Sequence, residues 1–134
     1  MSKEEEMQKL AIQYQILEAN IRVIEERRQI LIRHIEDLQR TKISIEELEH
    51  TKTGDAFIPL GNGNFLPGNI SDVNNVIVGV GGGVAIKKNR KEAIEILEKR
   101  ISDMNKIFSE LSLEGEKLFA QTSEIQNKVN ELQK

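Results

Sequence analysis

The chain has 134 residues, of which 31% are charged and only 4% aromatic, with no Trp and no Cys. Anchors for a compact three-dimensional core are therefore scarce, yet an apolar share of 38% is too high for a disordered chain, which points to long amphipathic helices. A formal charge of −3 leaves no electrostatic footprint for nucleic acid or an anionic membrane, and the absence of cysteine removes disulfides and thiolate metal sites.

The opening Met1-Ser2-Lys3-Glu4-Glu5-Glu6 is acidic where a signal peptide is basic and then apolar. The longest apolar run, Val76 to Ile86, is glycine-rich and too short to span a bilayer. A soluble, cytoplasmic protein with no membrane partner is expected.

Ser2 and Glu5 have capping-box spacing, and the acidic residues that follow suit a helix N-terminus. A heptad then runs from Met7. Its a positions are Met7, Tyr14, Ile21, Arg28, Ile35 and Lys42, and its d positions are Leu10, Leu17, Ile24, Leu31, Leu38 and Ile45. Apolar residues fill this 3–4 alternation except at Arg28 and Lys42, the pattern of a coiled-coil helix. Thr51, Thr53 and Gly54 break it, so the helix is expected to end near His50 to Gly54.

From Ala56 to Lys88 the composition shifts to Gly, Asn, Pro and β-branched residues. Phe57-Ile58-Pro59-Leu60, Gly61-Asn62-Gly63-Asn64 and Phe65-Leu66 read as strand, turn and strand, because Asn-Gly tolerates the positive φ angles of tight hairpins. Val76-Ile77-Val78-Gly79-Val80, Gly81-Gly82-Gly83 and Val84-Ala85-Ile86 read as a second hairpin. Pro59 and Pro67 cannot donate to a ladder, which suits edge strands. Two hairpins alone cannot bury their apolar faces, so strands of several subunits are expected to close into an intersubunit β-barrel. Phe57, Ile58, Leu60, Phe65, Val76, Val78, Val80, Val84 and Ile86 are the candidate oligomerisation residues.

A second helix is expected from Asn89 as N-cap, with Glu92 three residues on. Its a positions are Ile94, Ile101, Phe108, Gly115, Thr122 and Val129, and its d positions are Leu97, Met104, Leu111, Leu118, Ile125 and Leu132. Two seams of equal length in one chain zip most simply antiparallel, with partner positions summing to about 139 and arms roughly 65 Å long. The predicted class is mainly α: a long antiparallel two-helix coiled coil with two β-hairpins between the helices.

No catalytic motif emerges. Gly61-Asn62-Gly63-Asn64-Phe65-Leu66 and Gly79-Val80-Gly81-Gly82-Gly83-Val84 lack the third glycine of a dinucleotide fingerprint, and no Gly-Lys-Ser/Thr follows either. His34 and His50 have no ligand cluster at metal spacing, the carboxylates are interleaved with Lys and Arg on helix exteriors, and the run Lys87-Lys88-Asn89-Arg90-Lys91 has no interleaved aromatics for nucleic acid. A non-enzyme without cofactor or metal is expected. Ile12, Ile16, Val23, Ile30, Leu113, Phe119 and Ala120 lie outside the seam, where a two-stranded coil faces water, and most fall in the half nearest the termini. Both termini meet at the far end of an antiparallel hairpin. Met7, Leu10, Ile12, Tyr14, Ile16, Ile125, Val129 and Leu132 are therefore the candidate contact surface for other proteins.

A helical arm, two hairpins and a matching second arm resemble the α class of the prefoldin family. Phe57-Ile58-Pro59-Leu60-Gly61-Asn62-Gly63-Asn64-Phe65 is similar to that family's apolar-Pro-Leu/Val-Gly turn. Val76 to Lys88 is similar to its strand pattern ending in Val-Gly-x-Gly-Val. The resemblance implies a single prefoldin-like domain, with helical arms at 1–52 and 89–134 and the assembly hairpins at 53–88. It implies two α and four β-type subunits in a hexamer, and a chaperone that captures unfolded client proteins at its coiled-coil tips without ATP. Delivery to a cytosolic group II chaperonin is implied as well. The alternative is a coiled-coil spacer or filament-forming protein with no client.

Overall fold

The computed structural model describes residues 2–134. In chain order the elements are α1 (Lys3–Glu47), a 3-10 turn (Leu48–His50), β1 (Gly54–Gly61), β2 (Asn64–Ile70), β3 (Asn75–Gly81), β4 (Val84–Asn89) and α2 (Arg90–Gln133). The fold is thus mainly helical, with two hairpins between two long helices, as the heptads and the composition shift predict.

The helix boundaries follow from side chains that satisfy backbone groups left without helical partners. Ser2 Oγ accepts from the Glu5 N–H at 3.2 Å, and Glu4, Glu5 and Glu6 crowd the first turn of α1. At the other end the Thr51 N–H donates to the Leu48 carbonyl at 3.1 Å and the Thr51 hydroxyl to that of Glu47 at 3.2 Å. Asn89 Oδ1 accepts from the Glu92 N–H at 2.8 Å while Asn89 Nδ2 donates to Glu92 Oε1 at 2.7 Å, which opens α2.

Two compact units make up the chain. One is built from residues up to Ile35 and from Asp103–Lys134. In it the two helix segments run antiparallel, and their heptad a and d positions are the half-buried or buried ones. Ile24 and Ile125 are its buried apolar side chains. Thr122, a polar seam residue, is tolerated in a buried position because its hydroxyl donates to the Phe119 carbonyl at 2.6 Å.

The other unit, Glu36–Ser102, holds the hairpins. β1 pairs with β2, and β3 with β4, each as a two-stranded antiparallel sheet. The registers are repeats: Pro59↔Phe65 and Gly61↔Asn64 in the first match Gly79↔Ala85 and Gly81↔Val84 twenty positions on, with a bulge between Pro59 and Gly61 and another between Gly79 and Gly81. The turns repeat too. Asn62 and Gly63 have φ of 50° and 79°, and Gly82 and Gly83 have 60° and 75°, the doubly left-handed geometry of a tight two-residue hairpin turn.

One expectation needs correcting. A lone pair of hairpins is expected to leave Val78 against water, but it is 7% exposed, and with Ala93 and Leu97 it makes up the buried apolar residues of this unit. Alternation along a strand fixes which residues share a face. It does not say which face the unit's own helix covers.

Candidate functional site

The hairpin unit carries the largest apolar exposure. Phe57 is 76% exposed, and Leu60, Phe65, Ile58, Leu66, Val80, Val84 and Ile86 are exposed as well. Phe57 and Phe65 lie on one face of the first hairpin, diagonal to one another across the pairs Phe57↔Pro67 and Pro59↔Phe65, and their rings meet edge to face at 6.2 Å. Ile58 and Leu66 are paired on the opposite face, where the Ile58 side chain lies over Gly68, its Cδ1 only 3.0 Å from where a Cβ would stand. Both faces of that hairpin are therefore apolar.

In the second hairpin Val76 and Val78 turn toward the protein, Val76 half-buried, while Ile77 is 70% exposed on the other face. Ile77 and Leu66 are surface apolar residues that the sequence reading did not select. Strand alternation with Val76 and Val78 is the signal that marks Ile77 as facing the other way. Arg100 ties α2 to this hairpin by donating from Nη2 to the Gly79 carbonyl at 2.5 Å.

The second candidate surface lies in the helical unit. Met7, Leu10, Tyr14, Ile125 and Val129 line one groove of about 810 Å³. Leu10 and Leu132 line a neighbouring groove of about 440 Å³ with Glu6, Lys9, Gln13, Lys128 and Glu131. Pairs such as Leu10 with Val129 and Tyr14 with Ile125 obey the antiparallel sum. Ile125 is 8% exposed, so the seam must loosen before it can touch anything else. Ile12 and Ile16 line neither groove; they stand exposed outside the seam.

The seam has a defect further along this unit. Ile21, Ile24, Arg28, Ser112, Gly115 and Phe119 are among the residues around a cavity of about 340 Å³. Arg28 occupies a seam position by laying its guanidinium over the Phe108 ring, 5.0 Å from the centroid, and pairing with Glu25 at 2.6 Å, while its buried Nε has no partner. In the hairpin unit the other basic seam residue, Lys42, reaches Glu98 at 3.1 Å and Glu46 at 3.7 Å. The hydrogen bond and charge of Glu98 hold its ammonium pKa above the ordinary 10.5.

Among the described residues no three His, Cys, Asp or Glu side chains converge as a metal-binding group. Among the described residues no helix is long and apolar enough to cross a membrane.

Two long helices joined through paired, bulged hairpins with apolar faces turned outward define a class of subunits built on a helix, a double hairpin and a second helix. The family model of the prefoldin subunit matches residues 17–134, and the chain belongs to the prefoldin family. Among its relatives are prefoldin alpha subunits. The chain is 31% identical over 130 residues to prefoldin subunit alpha of Pyrococcus horikoshii, covering 96% of this chain and 88% of that one. It is 36% identical over 98 residues to prefoldin subunit alpha 1 of Thermococcus kodakarensis, covering 72% and 67%. Its fold is similar to that of filamentous PFD from Methanocaldococcus jannaschii, with a TM-score of 0.77 at 17% identity over 86% of this chain and 96% of that one.

Proposed function

We propose that the chain is the α subunit of an ATP-independent holdase, assembled through its hairpins with prefoldin β-type subunits, two α to four β. In this reading unfolded client polypeptides are held by the apolar residues nearest the two termini and passed to a group II chaperonin in the cytoplasm. The observation that carries it is the groove lined by Met7, Leu10, Tyr14, Ile125 and Val129, an apolar surface built from both ends of the chain. Aliphatic side chains on frayed terminal turns adapt to many sequences where rigid aromatic anchors select one. Membership of the prefoldin family supports the chaperone role, and the exposed hairpin residues support assembly.

Removing residues 1–12 and 127–134 deletes Met7, Leu10, Ile12, Val129 and Leu132 and leaves every strand in place. The truncated chain is expected to join its β-type partners in a complex of unchanged composition, yet to suppress aggregation of a chemically denatured protein, without nucleotide, much less well. Equal protection by truncated and full-length assemblies would place the client surface elsewhere. Failure of the full-length assembly to protect at all would favour a coiled-coil spacer.

A further inference from the structure

α1 carries a second apolar row besides the seam it shares with α2. Ile12, Ile16, Ala19, Val23, Glu26 and Ile30 follow one another at steps of four, three, four, three and four, and only Glu26 among them is polar. They occupy heptad positions f and c, which point away from the seam, and all six are exposed. The row lies wholly within the helical unit and runs for about 27 Å along the helix. Isolated exposed aliphatics are ordinary on a surface, but a continuous row of them marks a contact face.

The flanks of this row carry one sign of charge. From Ile12 to His34 the outward positions b, c, f and g hold Arg22, Arg27 and Arg33 against a single carboxylate, Glu26. Among the described residues none of these three arginines is in an ion pair. Arg33 Nε donates to the Gln29 carbonyl at 3.5 Å, which leaves its charge unmatched. The remaining arginine of this stretch, Arg28, is engaged in the seam with Glu25. A chain of formal charge −3 thus has a basic strip along the outside of its first helix.

Spacing and charge together define what fits. Alternating steps of three and four match another helix, whereas an extended segment repeats every second residue and falls out of step. The unpaired arginines call for carboxylates on both sides of the occupant's apolar row. A bilayer surface fits less well, because sinking the row into the acyl boundary would take the Glu26 carboxylate with it.

We infer that the outer face of α1 docks an acidic amphipathic helix of a partner protein. The partner's aliphatic row packs on Ile12, Ile16, Val23 and Ile30, and its flanking carboxylates pair with Arg22, Arg27 and Arg33. Flanking charges of this kind select partner and orientation at the borders of a helical seam, and Glu26 excludes a carboxylate directly opposite itself. The inference goes beyond client capture near the termini, since Val23 and Ile30 line neither groove there.

The probe is a labelled synthetic helix with Leu at alternating steps of three and four and Glu at the flanking positions, titrated with the full-length chain and compared with the same peptide carrying Lys for Glu. The Glu peptide is expected to bind, more weakly as salt rises, and the Lys peptide about tenfold less tightly or worse. Arg22→Glu with Arg27→Glu should invert that preference. Val23→Ser with Ile30→Ser should weaken the Glu peptide about tenfold or more, with helix content unchanged by circular dichroism. Glu26→Leu, which completes the row, should tighten it. Equal binding of the two peptides, or binding unmoved by Val23→Ser with Ile30→Ser, would overturn the proposal. Equal binding of a Glu peptide broken by a central Pro would do the same, because the occupant would then be an extended chain. So would a fall in the mass of the isolated chain on Val23→Ser with Ile30→Ser, which would make the occupant a second copy. Association with anionic phospholipid vesicles that is lost in Arg22→Glu with Arg27→Glu, in place of peptide binding, would assign the face to a membrane and overturn the proposal as well.

Discussion

Gly115 faces Ile24 across the helix pair: a Cβ built on the glycine would stand 3.5 Å from Ile24 Cγ2, an ordinary van der Waals contact. The glycine is therefore not required by close backbone approach. It removes packing from a seam that already has a cavity at this level, and glycine within a helix is less favourable than alanine by about 1 kcal/mol. Gly115→Ala is expected to raise the urea midpoint by the equivalent of about 1 kcal/mol with an unchanged slope. A lower midpoint would show that the cavity or the helix spacing cannot accept a methyl group.

Val78 and Ile77 are sequence neighbours with opposite roles. Val78 is buried within its own unit, so Val78→Ala is expected to destabilise the chain by about 1–2 kcal/mol, read by chemical denaturation of the isolated chain. Ile77 and Phe57 are exposed, so replacing both with Ser should leave the secondary structure and its local melting intact while reducing assembly with β-type chains, measured by mass photometry. Equal effects of the two variants on chain stability would contradict this division.

The heptad seams were legible because a 3–4 apolar spacing has one structural meaning over so many turns, and the half-buried positions follow it down to Arg28 and Lys42. The turns were legible because Asn62-Gly63 and Gly82-Gly83 supply residues that accept positive φ. The bulges at Pro59/Gly61 and Gly79/Gly81 were not, since an extra residue leaves no mark in composition, and neither was the burial of Val78, because strand alternation does not say which face of the hairpin is covered. Near the termini, the heptad positions Met7, Leu10, Tyr14, Ile125 and Val129 line one groove, the meeting that the antiparallel sum leads one to expect. Ile12 and Ile16, which the heptad puts outside the seam, are exposed.

The connection between the hairpins gives a pH signature. Asp72 Oδ2 accepts from Asn75 Nδ2 at 2.8 Å and Oδ1 from the Asn74 N–H at 2.7 Å, and these bonds hold its pKa below the ordinary 3.8. A carboxylate with a depressed native pKa contributes stability above its unfolded pKa and loses it as pH falls through the native one. Asp72→Ala is therefore expected to lower the denaturation midpoint at pH 6, with the difference from the parent chain shrinking as the pH falls below the ordinary carboxylate value of 3.8. A difference that persisted unchanged in acid would mean that the loop is held by something other than this carboxylate.

On the proposed holdase reading, burial distinguishes two places near the termini where a client could be held, inside the seam or on its outside. Ile125 is buried in the closed pair, whereas Ile12 and Ile16 are exposed without any rearrangement. Leu10 and Val129 line the same groove and belong to different helices. In a chain with no native cysteine, Leu10→Cys with Val129→Cys can be joined by a short bis-maleimide, which holds the helix ends together without touching Ile12 or Ile16. If opening of the seam supplies the client surface, the bridged assembly should protect a denatured protein markedly less than the same double variant left unbridged, at equal complex mass. Protection that survives bridging but is lost in Ile12→Ser with Ile16→Ser would move the contact to the outer face of α1. Loss in both would mean that a client spans seam and outer face together, because closing the groove and removing the exposed aliphatics then subtract from one continuous surface.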